Sequence, residues 1–100
     1  MISKSFITFQ KEAPQEQQAW AEMIQSLSKV SSLDNKTQSL CYISALVGAN
    51  LYSGLSFHVK AAKQLGISKE DVKSAVLMNL SLCGNRVIKA LQIALEAYDE

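Results

Sequence analysis

His58 is the only histidine in this chain of 100 residues. It is therefore the one side chain whose ordinary pKa suits it to both give and take a proton near neutral pH. Two readings stay open for it: a general acid or base in a pocket, or an imidazole on a helix held by a backbone carbonyl. One turn earlier stands Gly54, which leaves space beside the imidazole. That space is either room for a small-molecule ligand or a bend and close helix packing, and the packing reading is the better supported. Ser39, Tyr42, Tyr52, Ser53 and Ser56 could supply hydroxyls, although such groups on helices usually bond to backbone oxygens. Cys41 and Cys83 are far apart and lack metal-ligand spacing. They read as buried thiols behaving as small hydrophobes rather than as a disulfide. Asn79 falls on an apolar helix face and reads as an amide that fixes helix pairing. Asn85 and Arg86 stand at the start of the last helix, where backbone N–H groups favour anions. Without a glycine-rich loop, helix capping by Asn85 is the better reading. No residue pattern calls for a metal or a cofactor, and none is assigned.

The elements that must position these residues are helical. Phe6, Ile7 and Phe9 give an N-terminal arm (residues 1–13) something to dock with. Pro14 fits the first turn of a helix, and Trp20, Met23, Ile24, Leu27 and Val30 follow at three- and four-residue steps. Trp20 reads as core or subunit interface. Asp34 is a plausible cap for a second helix through Leu40, Ile43, Leu46 and Val47, apolar on nearly every face and read as the most buried. Gly48 and Gly54 bracket a bend. Leu55–Leu65 continues helical and ends at Gly66, a good residue just past a helix. Ser68 caps Asp71, with Asp71 reaching back and Ile67 and Val72 as the hydrophobic staple. Val72, Ala75, Val76, Asn79, Leu80 and Cys83 then line one face. After Gly84–Asn85 a closing helix carries Val87, Ile88, Leu91, Ala94, Leu95 and Tyr98 on one face, with Lys60, Lys63, Lys73 and Lys89 directed to water. No stretch alternates as a strand should. The expectation is an all-α single domain over 1–100, a bundle of about five helices.

Charge and composition narrow the function classes. The net charge is +1, with one arginine and nine scattered lysines, so no bulk field recruits nucleic acid or an acidic membrane. Met1–Pro14 has no signal-peptide pattern, and the mostly apolar run Leu40–Leu51 is too short to span a bilayer. The expected location is cytoplasmic. Apolar residues make up 48% and charged residues 19%. A small domain cannot hide that load alone, so a homo-oligomer is expected.

Four segments, in order, carry a resemblance: "SLDNKTQSL" (Ser32–Leu40), "HVKAAKQLGISKEDVKSAV" (His58–Val76), "CGN" (Cys83–Asn85) and "VIKALQIALEAY" (Val87–Tyr98). Together, residues 33–97 resemble the carboxymuconolactone decarboxylase family and its alkylhydroperoxidase D-like branch. The resemblance implies the fold of that branch and assembly as a trimer or hexamer. In the peroxidase-like branch, CxxCxxxH would put cysteines at Leu51 and Gly54, with a glutamate near Ser39. Such a pair supplies a thiolate and its resolving thiol, and leucine and glycine supply neither. In the decarboxylase-like branch an acidic residue stands four before the histidine, again at Gly54. These departures imply a member that is not a thiol peroxidase, with Ser39, Tyr42, Leu51 and Gly54 as pocket candidates around His58. Whether it is an enzyme stays open. An oligomeric binding protein that lost the chemistry ranks slightly ahead of a decarboxylase-like enzyme using His58 on a small carboxylated substrate. A residual peroxidase using Cys41 or Cys83 comes last.

Overall fold

The computed structural model describes residues 3–100. Residues 1 and 2 of the expected arm lie outside the described residues. The described chain is helical, with no strand, and consists of seven α-helices and one 3₁₀ turn. They are α1 (Lys4–Glu12), α2 (Pro14–Val30), α3 (Asn35–Gly48), the turn Tyr52–Gly54, α4 (Leu55–Gln64), α5 (Lys69–Leu77), α6 (Leu80–Cys83) and α7 (Arg86–Asp99). Two compact units result, one ending at Asp34 and the other Asn35–Glu100.

In the first unit, the expected arm is a helix. Ser3 has extended backbone and accepts from the Phe6 N–H at 3.1 Å, the arrangement that starts a helix. Pro14 opens α2 as expected. Phe6, Phe9 and Trp20 meet with ring centroids 5.9–6.3 Å apart. No residue of α1 or α2 is buried, and Met23, Leu27 and Val30 stay exposed.

The second unit holds the core. α7 packs against α4 and α5, and α3 packs against the same two helices. The interior is built from Val, Ile, Leu and Ala: Ile43 and Val47 of α3, Leu55, Val59 and Ala62 of α4, Val72, Ala75 and Val76 of α5, and Val87, Ala90, Ala94 and Ala97 of α7. The buried face of α7 therefore differs from the expected one. Its alanines face inward, Ile88 is 61% exposed, and Leu91 and Tyr98 pack at the edge. Small residues let three helices approach closely, and close packing outweighs the larger side chains' preference for burial.

Two helix ends set the turns. After α3, Asn50 takes φ 61°, and the N–H groups of Leu51 and Asn50 bond to Leu46 O and Val47 O at 2.9 and 3.1 Å. After α4, Gly66 takes φ 83°, with Ile67 and Gly66 bonding to Ala62 O and Lys63 O. Both are Schellman closures. The expected stop at Gly66 holds, whereas the left-handed residue after α3 is Asn50 rather than a glycine.

Ser68 caps α5 through a 3.1 Å bond from the Asp71 N–H. Asp71 does not return the bond to the Ser68 backbone but pairs with Lys36 of α3 at 2.9 Å. Ser68→Ala is expected to cost about 1 kcal/mol, read as a lower urea midpoint with unchanged m. The expected helix from Val72 to Cys83 breaks at Met78–Asn79 into α5 and α6. Asn85 does not cap α7, since its backbone is helical and its side chain makes no cap bond. Lys60 and Lys63 do more than face water: Lys60 pairs with Glu100, and Lys63 Nζ donates to Tyr98 O at 2.7 Å, a cation at a helix C-terminus.

Candidate functional site

α3 and α4 run into one another through a tight junction, and that junction brings the sequence candidates together. The Schellman closure at Asn50 and the turn Tyr52–Gly54 place the first turn of α4 beside the C-terminal half of α3. Tyr42 and His58 then stack, ring centroids 4.5 Å apart and planes at 27°. Phe57 meets the imidazole edge-on at 5.3 Å. Neither ring nitrogen of His58 has a hydrogen-bond partner among the described residues. A Cβ on Gly54 would lie 3.8 Å from His58 Cδ2 and 4.0 Å from Leu46 Cδ2, ordinary contact distances. Position 54, with φ −91° and ψ −9°, thus has both the backbone and the space to carry a side chain.

Beside the stack is an open hollow of about 240 Å³ lined by Tyr42, Ala45, Leu46, Ala49 and Leu51. Of the sequence candidates, Tyr42 and Leu51 line it, while Gly54 and His58 adjoin it through Leu46 and Tyr42. Ser39 lies on the preceding turn of α3 and is not among the residues that line that hollow. Ala45, Leu46 and Ala49 were missed, although they follow Tyr42 at three- to seven-residue steps along one helix face. A larger open groove of about 480 Å³ lies on the other side of Ala45, between α3 and α5, and includes Cys41, Ser44, Gly48 and Asn79.

The remaining polar candidates are structural. Asn79 is buried and donates from Nδ2 to Ser44 O at 3.2 Å and Ser44 Oγ at 3.1 Å, tying α5 to α3. Arg86 donates to Gly48 O at 2.6 Å and to Cys83 Sγ at 3.1 Å, so the one arginine closes the C-terminal end of α3. Nothing local in the sequence signals that role. Tyr52 donates its hydroxyl to Arg86 O at 3.1 Å. Neither cysteine is a buried thiol: Cys41 is exposed and Cys83 half-buried.

Electrostatics at the stack follow from burial. Desolvation lowers the His58 pKa from its ordinary 6.5, because half-burial disfavours the imidazolium. The folded chain therefore binds this proton less readily than the unfolded chain. The resulting stability is fully present above pH 6.5 and is lost as the pH falls through that value toward the lower folded pKa. Thermal melts between pH 5 and 8 are expected to show this decline on acidification, and His58→Gln is expected to remove it. An unchanged slope in His58→Gln would assign the decline to other groups.

The family model described as the carboxymuconolactone decarboxylase family matches residues 14–96. The chain belongs to the carboxymuconolactone decarboxylase family. The match begins at Pro14, so it takes in α2 as well as the segments from Leu33 onward that carry the sequence resemblance. Among solved structures, a carboxymuconolactone decarboxylase family protein from Legionella pneumophila, in its apo form, superposes with a TM-score of 0.83 at 23% identity. That alignment covers 95% of this chain and 85% of the other. At that identity it speaks for a shared fold. No curated protein matches the chain. In this carboxymuconolactone decarboxylase family member, Leu51 precedes the 3₁₀ turn, Gly54 ends it and His58 follows one helical turn later. No described helix is long and apolar enough to cross a membrane.

Proposed function

We propose that this protein is a self-associating binding member of the carboxymuconolactone decarboxylase family that no longer performs the family's proton or thiol chemistry. The observation that carries the reading is the Tyr42–His58 stack. The imidazole faces an aromatic ring, Gly54 beside it offers neither acid nor thiol, and no ion pair reaches it among the described residues. Proton transfer to a substrate needs a group within hydrogen-bond reach of a positioned partner, and a disulfide exchange needs two thiols one turn apart. What remains next to His58 is an apolar hollow, suited to a small uncharged ligand. Self-association, as a trimer or hexamer, accords with α2's exposed stripe and with Tyr42 and Leu51, 48% and 56% exposed. Two cysteines outside any disulfide suit a reducing, cytoplasmic compartment.

A second reading, general base catalysis by His58, is favoured by the same burial that lowers the imidazole pKa and so favours its neutral, proton-accepting form. One assay separates the two. The wild type is expected to convert carboxymuconolactone, and to consume peroxide with a dithiol donor, no faster than His58→Gln. Any turnover that disappears in a folded His58→Gln protein overturns the proposal in favour of the second reading.

A further inference from the structure

Every side-chain bond of Asn79 is made by one end of its amide. Nδ2 donates to Ser44 O and Ser44 Oγ at 3.2 and 3.1 Å, and to Val76 O and Ala75 O at 3.3 and 3.5 Å. Three of those partners are carbonyls, which only accept, so the nitrogen lies on their side and Oδ1 on the other. Asn79 is 6% exposed, yet its Oδ1 accepts no bond among the described residues. An enclosed acceptor without a partner would cost stability, and none occurs among those residues. Oδ1 therefore opens on solvent, through the groove of about 480 Å³ between α3 and α5 that Asn79 lines. Gly48 keeps it uncovered, because a Cβ at that position would stand 3.0 Å from Oδ1.

Ser44 offers the complement. Its Oγ accepts from Nδ2, and its O–H donates to no group among the described residues. Ser44 lines the same groove. An open acceptor and an open donor thus stand on neighbouring side chains, the pattern that an amide's N–H and C=O complete. Around them the wall is apolar, formed by Leu40, Ala45, Ala75 and Met78. Met78 is 72% exposed, and its flexible thioether adapts to what lies against it. The lining holds one carboxylate, Asp71, paired with Lys36 at 2.9 Å, and no lysine or arginine. A carboxylate ligand would find no cation along this wall and would meet Oδ1 with like polarity. The volume is that of a site for a small molecule.

We infer that the α3–α5 groove binds a small uncharged amide with an apolar arm, its N–H donating to Asn79 Oδ1 and its carbonyl accepting from the Ser44 hydroxyl. The arm lies along Leu40, Ala75 and Met78. This site is separate from the Tyr42 hollow, on the other side of Ala45, and stands or falls independently of what His58 does. Asn79 then has two duties: Nδ2 ties α5 to α3, and Oδ1 recognises the ligand.

Three probes of one shape test this on the full chain: benzamide, acetophenone, in which a methyl replaces the amino group, and benzoate, the anion. Each is titrated into the wild type and followed by NMR of the backbone amides. Benzamide is expected to shift the signals of Ser44, Gly48 and Asn79 saturably. It is also expected to slow alkylation of Cys41, which lines the groove, by iodoacetamide and to leave Cys83, which does not, unaffected. Acetophenone and benzoate are expected to bind at least about tenfold more weakly, the effect of one lost hydrogen bond. Gly48→Ala covers Oδ1 and is expected to bring benzamide down to the affinity of acetophenone, with circular dichroism to establish that the variant is folded. The wild-type series is decisive by itself if Gly48→Ala does not fold. Equal affinities for benzamide and acetophenone overturn recognition of an amide, and a benzoate affinity equal to that of benzamide overturns the preference for an uncharged ligand. No saturable shift up to the solubility limit of benzamide, or shifts confined to the surroundings of Tyr42, overturns the site. A folded Gly48→Ala that keeps the tenfold preference overturns the role of Asn79 Oδ1.

Discussion

Leu55→Ala is expected to lower the stability of this protein by about 2–5 kcal/mol, the range for truncating a fully buried leucine. Leu55 has no exposed surface. It is the first residue of α4 and follows directly on the turn Tyr52–Gly54, a segment too short to hold itself in place. Its side chain is the anchor that fixes where α4 starts, and hence where His58 falls relative to Tyr42. The expected readouts are a lower urea midpoint at unchanged m and weakened ring-to-ring contacts between Tyr42 and His58 by NMR. A loss below 1 kcal/mol with the ring contacts intact would show that the junction is held by its backbone closures instead.

The second large effect is a coupling between Gly48 and Asn79. A Cβ on Gly48 would lie 3.0 Å from Asn79 Oδ1, and the Asn79 amide cannot swing away freely because it is 6% exposed and bonded to Ser44. Gly48→Ala is therefore expected to destabilise by about 1 kcal/mol despite alanine's better helix propensity. Asn79→Ala is expected to cost about 2–3 kcal/mol, through a buried cavity and lost bonds to α3. In the Asn79→Ala background the obstruction is gone, and Gly48→Ala becomes neutral or stabilising. The double-mutant cycle is expected to give a coupling of about 1–2 kcal/mol, measured by urea unfolding of the four proteins. Additive effects would mean that Asn79 relaxes without cost and does not set the α3–α5 distance.

Much of the architecture was legible locally. The spacing of apolar residues marked α2, α3 and α7. Ser68 marked the start of α5, and Gly66 marked the end of α4. These features are legible because capping and left-handed closures are settled by residues within one turn of each other. The missed elements have equally local reasons. α1 is nine residues long, about two and a half turns, and Phe6 and Phe9 are its one apolar pair at helical spacing. The break at Met78–Asn79 lies within a continuous apolar pattern, and the Asn79 bonds to α3 that accompany it involve a residue 35 positions away.

The candidate site divides in the same way. His58 and Gly54 were legible as neighbours one helical turn apart. Tertiary structure decided that Tyr42, from another helix, takes the face of the imidazole, and that Ser39 stands apart. It also assigned Arg86 to the end of α3 rather than to an anion, and turned the alanines of α7 inward. Each of these outcomes depends on contacts between residues 16 or more positions apart, where packing of whole helices, rather than propensity within one turn, sets which side chain meets which. The sequence by itself determined which groups are present; only the packing of α3 against α4 determined that the His58 imidazole stacks on the Tyr42 ring.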